Sequence, residues 1–455
     1  MIPAAARCCR PGEFEGRQPH IIPVNQGVSK PACSAARASL EAPQQRGGSD
    51  AAAAAARIGV TRLMLTDFRN YRRTSLALGT DPVVLTGANG AGKTNLLEAV
   101  SLLAPGRGLR RARLTEIERW RIPGEAELPG SPIAGGWAVT GGWAVAAELA
   151  LRHGTLRVGT GHAGTGRDGA TGERRVVHID GERVPSQAAL GEAFGIVWLT
   201  PAMDRLFLDG PGARRRFLDR LVLALDPGHA ARVAAYEQAL RERSQLLRAG
   251  ISSHRPADPA WLAALEAMMA AQGVAVAAAR CDAVERLDAI CAAAEGPFPR
   301  ARLRLAGTIE AWLDEMPALA AEARFAEALA AARHGDAISG GAELGPHRCD
   351  LAVRLAPAGI AAEHSSTGEQ KALLIAILLA HAALQRTLRG EPPILLLDEV
   401  AAHLDAARRD ALFDAIARLA SQAWLTGTDP AAFAPLRHRA QFWSVRGGAL
   451  APASI

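Results

Sequence analysis

Aromatic residues are scarce in this chain: two tyrosines, ten phenylalanines and eight tryptophans supply 4% of its 455 residues. Set beside an abundance of Ala, Leu and Arg, that shortage argues against an all-β sandwich and for an α/β protein rich in helix packed through small side chains. Cysteine is also sparse. The six present (Cys8, Cys9, Cys33, Cys281, Cys291, Cys349) follow neither disulfide nor zinc-ligand spacing, which excludes a disulfide-stapled scaffold and suits a reducing, cytoplasmic compartment. No apolar run reaches the ~18 to 20 residues needed to cross a bilayer: "ALLIAILLAHAALQ" is shorter and bounded by charge, so no membrane is expected. A secretory signal is not expected, since Pro, Glu and Arg stand within the first thirty residues where an apolar core should be.

A net charge of +6 allows an anionic partner but says little about fold. The length predicts two lobes. Residues 1–56, rich in Pro, Gly, Ser and Ala, read as a disordered extension or as the product of a mis-assigned start, with Val60 a candidate for the true beginning. Residues 57–201 begin with two strands in "RLMLTDFRNYRRTSLAL", then an apolar strand "PVVLT", then short alternating segments with a hairpin around Asp180-Gly181. From 202 to 335 apolar residues recur at helical spacing, which predicts a helical lobe or short arm. Residues 336–455 return to α/β: a strand "CDLAVRLA", a long helix from "STGEQKALL", a buried strand "PILLLDE", a helix, and "QAWLTGT".

The stretch "VVLTGANGAGKTNLLEAV" carries the chemistry. "GANGAGKT", Gly87 to Thr94, fits the eight-residue phosphate loop. Its glycines let the backbone of Gly87, Ala88, Asn89, Gly90, Ala91 and Gly92 turn N–H groups toward a β-phosphate, and the helix that starts there, through Asn95, adds its positive end. Lys93 reaches the β and γ phosphates as a point charge and Thr94 offers a hydroxyl to Mg²⁺, so ATP and Mg²⁺ are the expected ligands. Asp398 and Glu399, which close the apolar run "PILLL", supply the second half: an Asp toward the metal and a Glu to deprotonate attacking water.

Between these motifs lies "HSSTGEQKALL". Read alone, its Ser366, Thr367, Gly368 and Glu369 make an ordinary helix cap. Placed between the two motifs, the segment resembles the signature of ABC-type ATPases, in which the Ser and the helix start contact the γ-phosphate held by the opposite subunit. "AAHLD", 401–405, is similar to the loop through which paired heads touch. "WLTGTDP" has no histidine where transporter ATPases carry a γ-phosphate sensor, leaving Thr426 or Thr428 for that place.

Four further stretches, "LTDFRNY" (65–71), "GRGLRRARL" (106–114), "DGPGARRRFLDR" (209–220) and "GPHRCDL" (345–351), narrow the resemblance to the RecF family over about residues 60–445. The resemblance implies an ABC-type head, a P-loop NTPase fold, with a second, mainly helical lobe. It also implies an ATP-dependent homodimer, double-stranded DNA at gaps or junctions as partner, and slow ATP hydrolysis. RecO and RecR would be partners, with RecA served indirectly at single-strand gaps. The competing class is the ATPase subunit of a transporter.

A DNA role requires a basic footprint. Arg107, Arg110, Arg111 and Arg113 after the phosphate-loop helix, and Arg214, Arg215 and Arg216 at the start of a helix in the second lobe, are the candidates; intramolecular ion pairs explain such clusters equally well. Arg69 and Asn70 either face the nucleotide or form a turn, and His347 has no assignable role.

Overall fold

The computed structural model describes residues 57–119, 132–133, 137–138, 142–162, 175–252 and 257–454; the segment 1–56, expected to be a disordered extension, lies outside them. β1 (Gly59–Phe68) and β2 (Tyr71–Ala77) form the expected hairpin, with Phe68 opposite Tyr71. β3 (Val83–Thr86), buried throughout, leads to α1 (Lys93–Ser101) and the short α2 (Leu114–Ile117). β4 (Pro132–Ile133) and β5 (Trp137–Ala138) pair only with each other among the described residues. β6 (Trp143–Leu151), β7 (Gly154–His162), β8 (Val176–Ile179) and β9 (Glu182–Arg183) follow as an antiparallel meander, giving a six-stranded sheet in the order β2-β1-β6-β7-β8-β9. Its last turn falls on Asp180-Gly181, both at positive φ (48° and 88°), as a tight hairpin demands.

α3 (Ala188–Ala193) precedes β10 (Ile196–Leu199), and three long helices follow: α4 (Pro211–Leu225), α5 (His229–Ser252) and α6 (Pro259–Ala293). β11 (Arg300–Ala306) interrupts the helical stretch before α7 (Thr308–Glu315), α8 (Ala318–Ala331) and α9 (Arg333–Ser339). It pairs antiparallel with β12 (Asp350–Ala356), to which β13 (Ile360–Ala361) adds a third strand. α10 (Thr367–Arg389), β14 (Ile394–Leu397), α11 (Ala406–Leu419), β15 (Ala423–Gly427), β16 (Gln441–Arg446) and β17 (Ala449–Pro452) complete the chain.

The second six-stranded sheet runs β10-β14-β15-β3-β16-β17, parallel except for β17. Strands buried on both faces read as continuous apolar runs, and alternate residues serve opposite cores. Val84, Leu395, Leu397 and Leu425 join the helices α4, α10 and α11, whereas Val83, Leu85, Ile394, Leu396 and Trp424 join α1 and the antiparallel sheet. Gln422 ties the layers. Wholly buried, its side-chain amide donates to Val60 O and Gly79 O and accepts from Val60 N. A third core, around Tyr236, Met269 and Phe325, joins α5, α6 and α8. There the buried Arg243 donates to Glu266, Asp336 and the Leu329 carbonyl, so its charge is matched where water is excluded.

Two helices correct an expectation. α6 and α10 are long and apolar enough to cross a membrane, although the apolar run within α10 is itself shorter than a span and bounded by charge. Half of the apolar window of α6, and 72% of that of α10, is buried within the fold. In α10 these buried residues, among them Leu373, Leu374 and Ile377, belong to the core beneath the parallel sheet.

Candidate active site

β3 delivers the chain to the glycine loop, and the loop closes because two positions lack a Cβ. Gly92 caps α1 at φ 115°; a Cβ there would lie 2.5 Å from Asn70 Nδ2 and 2.7 Å from the Tyr71 hydroxyl. Gly87, at φ 153°, passes directly against the Val445 carbonyl. Lys93, only 4% exposed, donates from Nζ to the carbonyls of Gly87 (2.7 Å) and Ala88 (2.9 Å), which holds the ammonium within the loop. α1 carries no side-chain cap; the N–H of Asn95 donates back to Gly92 O (3.0 Å), while the N–H groups of Lys93 and Thr94, at the very start, have no partner in their own helix.

Arg69, Asn70 and Tyr71 brace this loop. Tyr71 donates its hydroxyl to Gly92 O (3.0 Å), and burial raises its phenol well above the ordinary range. Asn70 donates to Ala91 O (3.2 Å) and accepts from Asn95 (2.7 Å). Arg69, at φ 53°, grips the buried Glu98 of α1 with two bonds of 2.8 and 2.6 Å, and Arg110 adds a third at 3.1 Å. The tripeptide therefore holds the loop in shape through its carbonyls and through α1.

Thr94 and Asp398, 304 residues apart in sequence, meet: the Thr94 hydroxyl lies 3.0 and 3.1 Å from the two carboxylate oxygens. Burial pushes the Asp398 carboxyl above the usual range, against the pull of the Thr426 and Thr94 hydroxyls. A hydroxyl and a buried carboxylate side by side, the carboxylate bonded to hydroxyls alone among the described residues, are the hard oxygen set that Mg²⁺ takes. Glu399 follows at φ 51°, ψ 28°, and its N–H donates to Thr426 Oγ1 (2.8 Å). Thr428, the alternative to Thr426 in place of a sensor histidine, lines instead a groove of about 670 Å³ with Thr86, Gly87, Asn89, Ser444 and Arg446.

Ser366, Thr367 and Gly368 are exposed at the start of α10, and none of them lines that groove. Ser366 and Glu369 form a capping box: Ser366 N donates to Glu369 Oε2 (2.9 Å), as does its hydroxyl (2.8 Å), while Glu369 N donates back to Ser366 Oγ (3.3 Å). These bonds hold the Glu369 carboxyl below its ordinary range.

The arginines divide. Arg214 donates twice to Asp350 (2.8 Å each) and to two carbonyls, and Arg215 donates to Cys349 O (2.6 Å), so both fasten α4 to the chain at β12. Arg216 is exposed, as are Arg107, Arg111 and Arg113. Arg107 and Arg113 share a cavity of about 1010 Å³ with Arg175 and Arg183, two arginines that carried no signal in sequence. Arg175 itself donates to Thr160 (2.6 Å) and Gly106 O (2.6 Å). His347 is structural: its Nδ1 accepts from the Tyr236 hydroxyl (2.7 Å), its Nε2 donates to Ala342 O (2.9 Å), and burial lowers its pKa.

No protein-family model matches the chain. It is 45% identical over 396 residues to the DNA replication and repair protein RecF of Rhizobium rhizogenes, covering 87% of this chain and 98% of that one. To the protein of that name from Mesorhizobium japonicum it is 46% identical over 396 residues, 86% and 97% of the two chains. Among solved structures, the "recombination mediator protein RecF-ATPrS in RecFOR pathway" superposes with a TM-score of 0.73 at 19% identity, covering 88% of this chain and 99% of that one. That likeness bears out the ABC-type ATPase fold that the resemblance implied, and with near-complete coverage at 45% identity the chain belongs to the RecF family of DNA replication and repair proteins.

Proposed function

We propose that this protein is an ATP-driven DNA clamp of recombinational repair and replication restart. The observation that carries the reading is the meeting of Thr94 with Asp398 beneath an uncapped helix start that holds Lys93. ATP binds with its β and γ phosphates on the N–H groups of residues 87–95, and Lys93 offsets their charge. Thr94 Oγ1 and Asp398 would hold Mg²⁺, which would supply positive charge to offset the phosphate oxygens. Glu399 accepts a proton from the attacking water as the new P–O bond forms at Pγ and the bond to the β,γ-bridging oxygen breaks, yielding ADP and phosphate. Two molecules pair on ATP, each presenting the exposed Ser366 to Gly368 turn to the nucleotide of the other.

The exposed Arg107, Arg111, Arg113 and Arg216 hold phosphates of double-stranded DNA at gaps or junctions, with little sequence preference. RecO and RecR are the partners, helping to load RecA in the cytoplasm. Support comes from the resemblance, from the relatives' description as replication and repair proteins, and from a solved relative described with nucleotide in the RecFOR pathway.

The test is ATP hydrolysis by the full chain with and without gapped duplex DNA at two salt concentrations, with Lys93→Ala as the blank. DNA stimulation that fades with salt is the expected result; hydrolysis indifferent to DNA overturns the clamp. In the same assays Ser366→Arg binds ATP but stays monomeric by light scattering, and a normal ATP-dependent dimer refutes the signature assignment.

A further inference from the structure

The residue that joins Asp398 to Glu399 lies on neither their strand nor the glycine loop. Thr426, on β15 and wholly buried, donates its hydroxyl to Asp398 Oδ1 (2.7 Å) and accepts the N–H of Glu399 (2.8 Å). A threonine hydroxyl has one proton to give and lone pairs to receive. Both capacities are engaged, so its orientation is set. The two contacts do different things. The first fixes Asp398 Oδ1, the same oxygen that Thr94 Oγ1 approaches at 3.0 Å. The second holds the peptide of Glu399, whose φ of 51° and ψ of 28° belong to the left-handed region that side chains other than glycine and asparagine rarely enter.

That backbone conformation turns the chain out of β14 into the helical turn Val400–His403, and so sets the direction in which the Glu399 side chain leaves the sheet. Valine, with the same shape, would leave the Glu399 N–H without its acceptor and would let Asp398 rotate.

We propose that Thr426 is a positioning residue for ATP hydrolysis, a single hydroxyl that aligns the metal-side carboxylate and holds Glu399 in its strained geometry. The proposal rests on the nucleotide reading above and adds a residue to it. Because Thr426 does not line the groove beside the glycine loop and its hydroxyl is spent on Asp398 and Glu399, its loss slows the chemical step and spares binding.

The experiment compares the full-length wild type with Thr426→Val and Thr426→Ser. Nucleotide affinity is read with fluorescent ATP, turnover by phosphate release, and the backbone by hydrogen exchange of peptides spanning Glu399 to Leu404 without nucleotide. Expected for Thr426→Val are a fall in kcat of about 30- to 100-fold, ATP affinity within about threefold of wild type, and faster exchange confined to that segment. Thr426→Ser, which keeps the hydroxyl, restores kcat to within about threefold. If Thr426→Val does not fold, judged by circular dichroism, Thr426→Cys replaces it, since a thiol is a much weaker donor and acceptor of similar size. Turnover of the valine or cysteine variant within threefold of wild type overturns the proposal, as does a parallel loss of affinity. A wild-type protein that binds no ATP overturns the nucleotide reading itself, an outcome the affinity measurement separates from the others.

Discussion

α1 and α10 both begin where a phosphate is expected, and they begin in opposite ways. The start of α1 has a glycine for its cap and a lysine inside the loop; its shape is imposed from outside by Tyr71, Asn70 and the Arg69–Glu98 pair. The start of α10 satisfies itself, Ser366 and Glu369 exchanging three hydrogen bonds in the open. A helix start braced by its neighbours can leave its N–H groups to a ligand, whereas a self-capped start places a carboxylate where an anion would go. On the proposed function the second surface becomes an anion site only after Ser366 turns away from Glu369, which is what a switch completed by a partner subunit requires.

The comparison can be broken at its strongest point first. Lys93→Ala should weaken ATP binding on the order of a thousandfold, about 4 kcal/mol, by calorimetry, whereas Glu369→Ala should leave it within about threefold. Equal losses would erase the distinction between the two helix starts.

Acid tests the middle of α10. His381 is fully buried, its Nε2 donating to Leu221 O (2.9 Å), and burial pushes its pKa down from 6.5 to about 4. Because the folded pKa is depressed, the neutral ring's contribution is fully present above pH 6.5 and declines as pH falls toward about 4, where the unfolded chain alone takes up the proton. Over that interval roughly 3 kcal/mol of stability should disappear, and urea unfolding of His381→Gln should show a correspondingly flatter pH dependence.

Arg69→Ala should cost about 2 to 3 kcal/mol in urea unfolding, because the buried Glu98 keeps only the more exposed Arg110. The smallest pair is the sharpest. Tyr71→Phe and Ser366→Ala should each cost about 1 kcal/mol of stability, yet only the first should weaken ATP binding, because only the first loosens the glycine loop.

The motifs proposed for this site were legible in sequence because each is local. The phosphate loop, the acidic strand end and the Ser366 turn each occupy fewer than a dozen consecutive residues, and the chemistry of each dictates its residue types. What sequence leaves open is pairing over distance. Arg214 could have faced DNA or an acid; Asp350 settles it from 136 residues away. Arg69 and Glu98 belong to different elements, and neither announces the other. β10 is only four residues long and becomes a strand by pairing with β14, so local periodicity does not reveal it, whereas β11, Arg300–Ala306, alternates polar and apolar residues as a strand does but finds its partner β12 only across some fifty residues. Thr426 stood out in sequence only as a candidate replacement for a histidine, and its role comes from two contacts that no spacing encodes.

The place of β3 in its sheet has a consequence for how the protein is made. The strand that delivers the phosphate loop is among the first elements of the described chain, yet its two neighbours, β15 and β16, lie within residues 423–446. During synthesis the loop's own strand is without these neighbours until residues 423–446 have left the ribosome. Nucleotide binding thus waits on strands made long after the loop itself, and a product that stops short of β15 has the motif without the site.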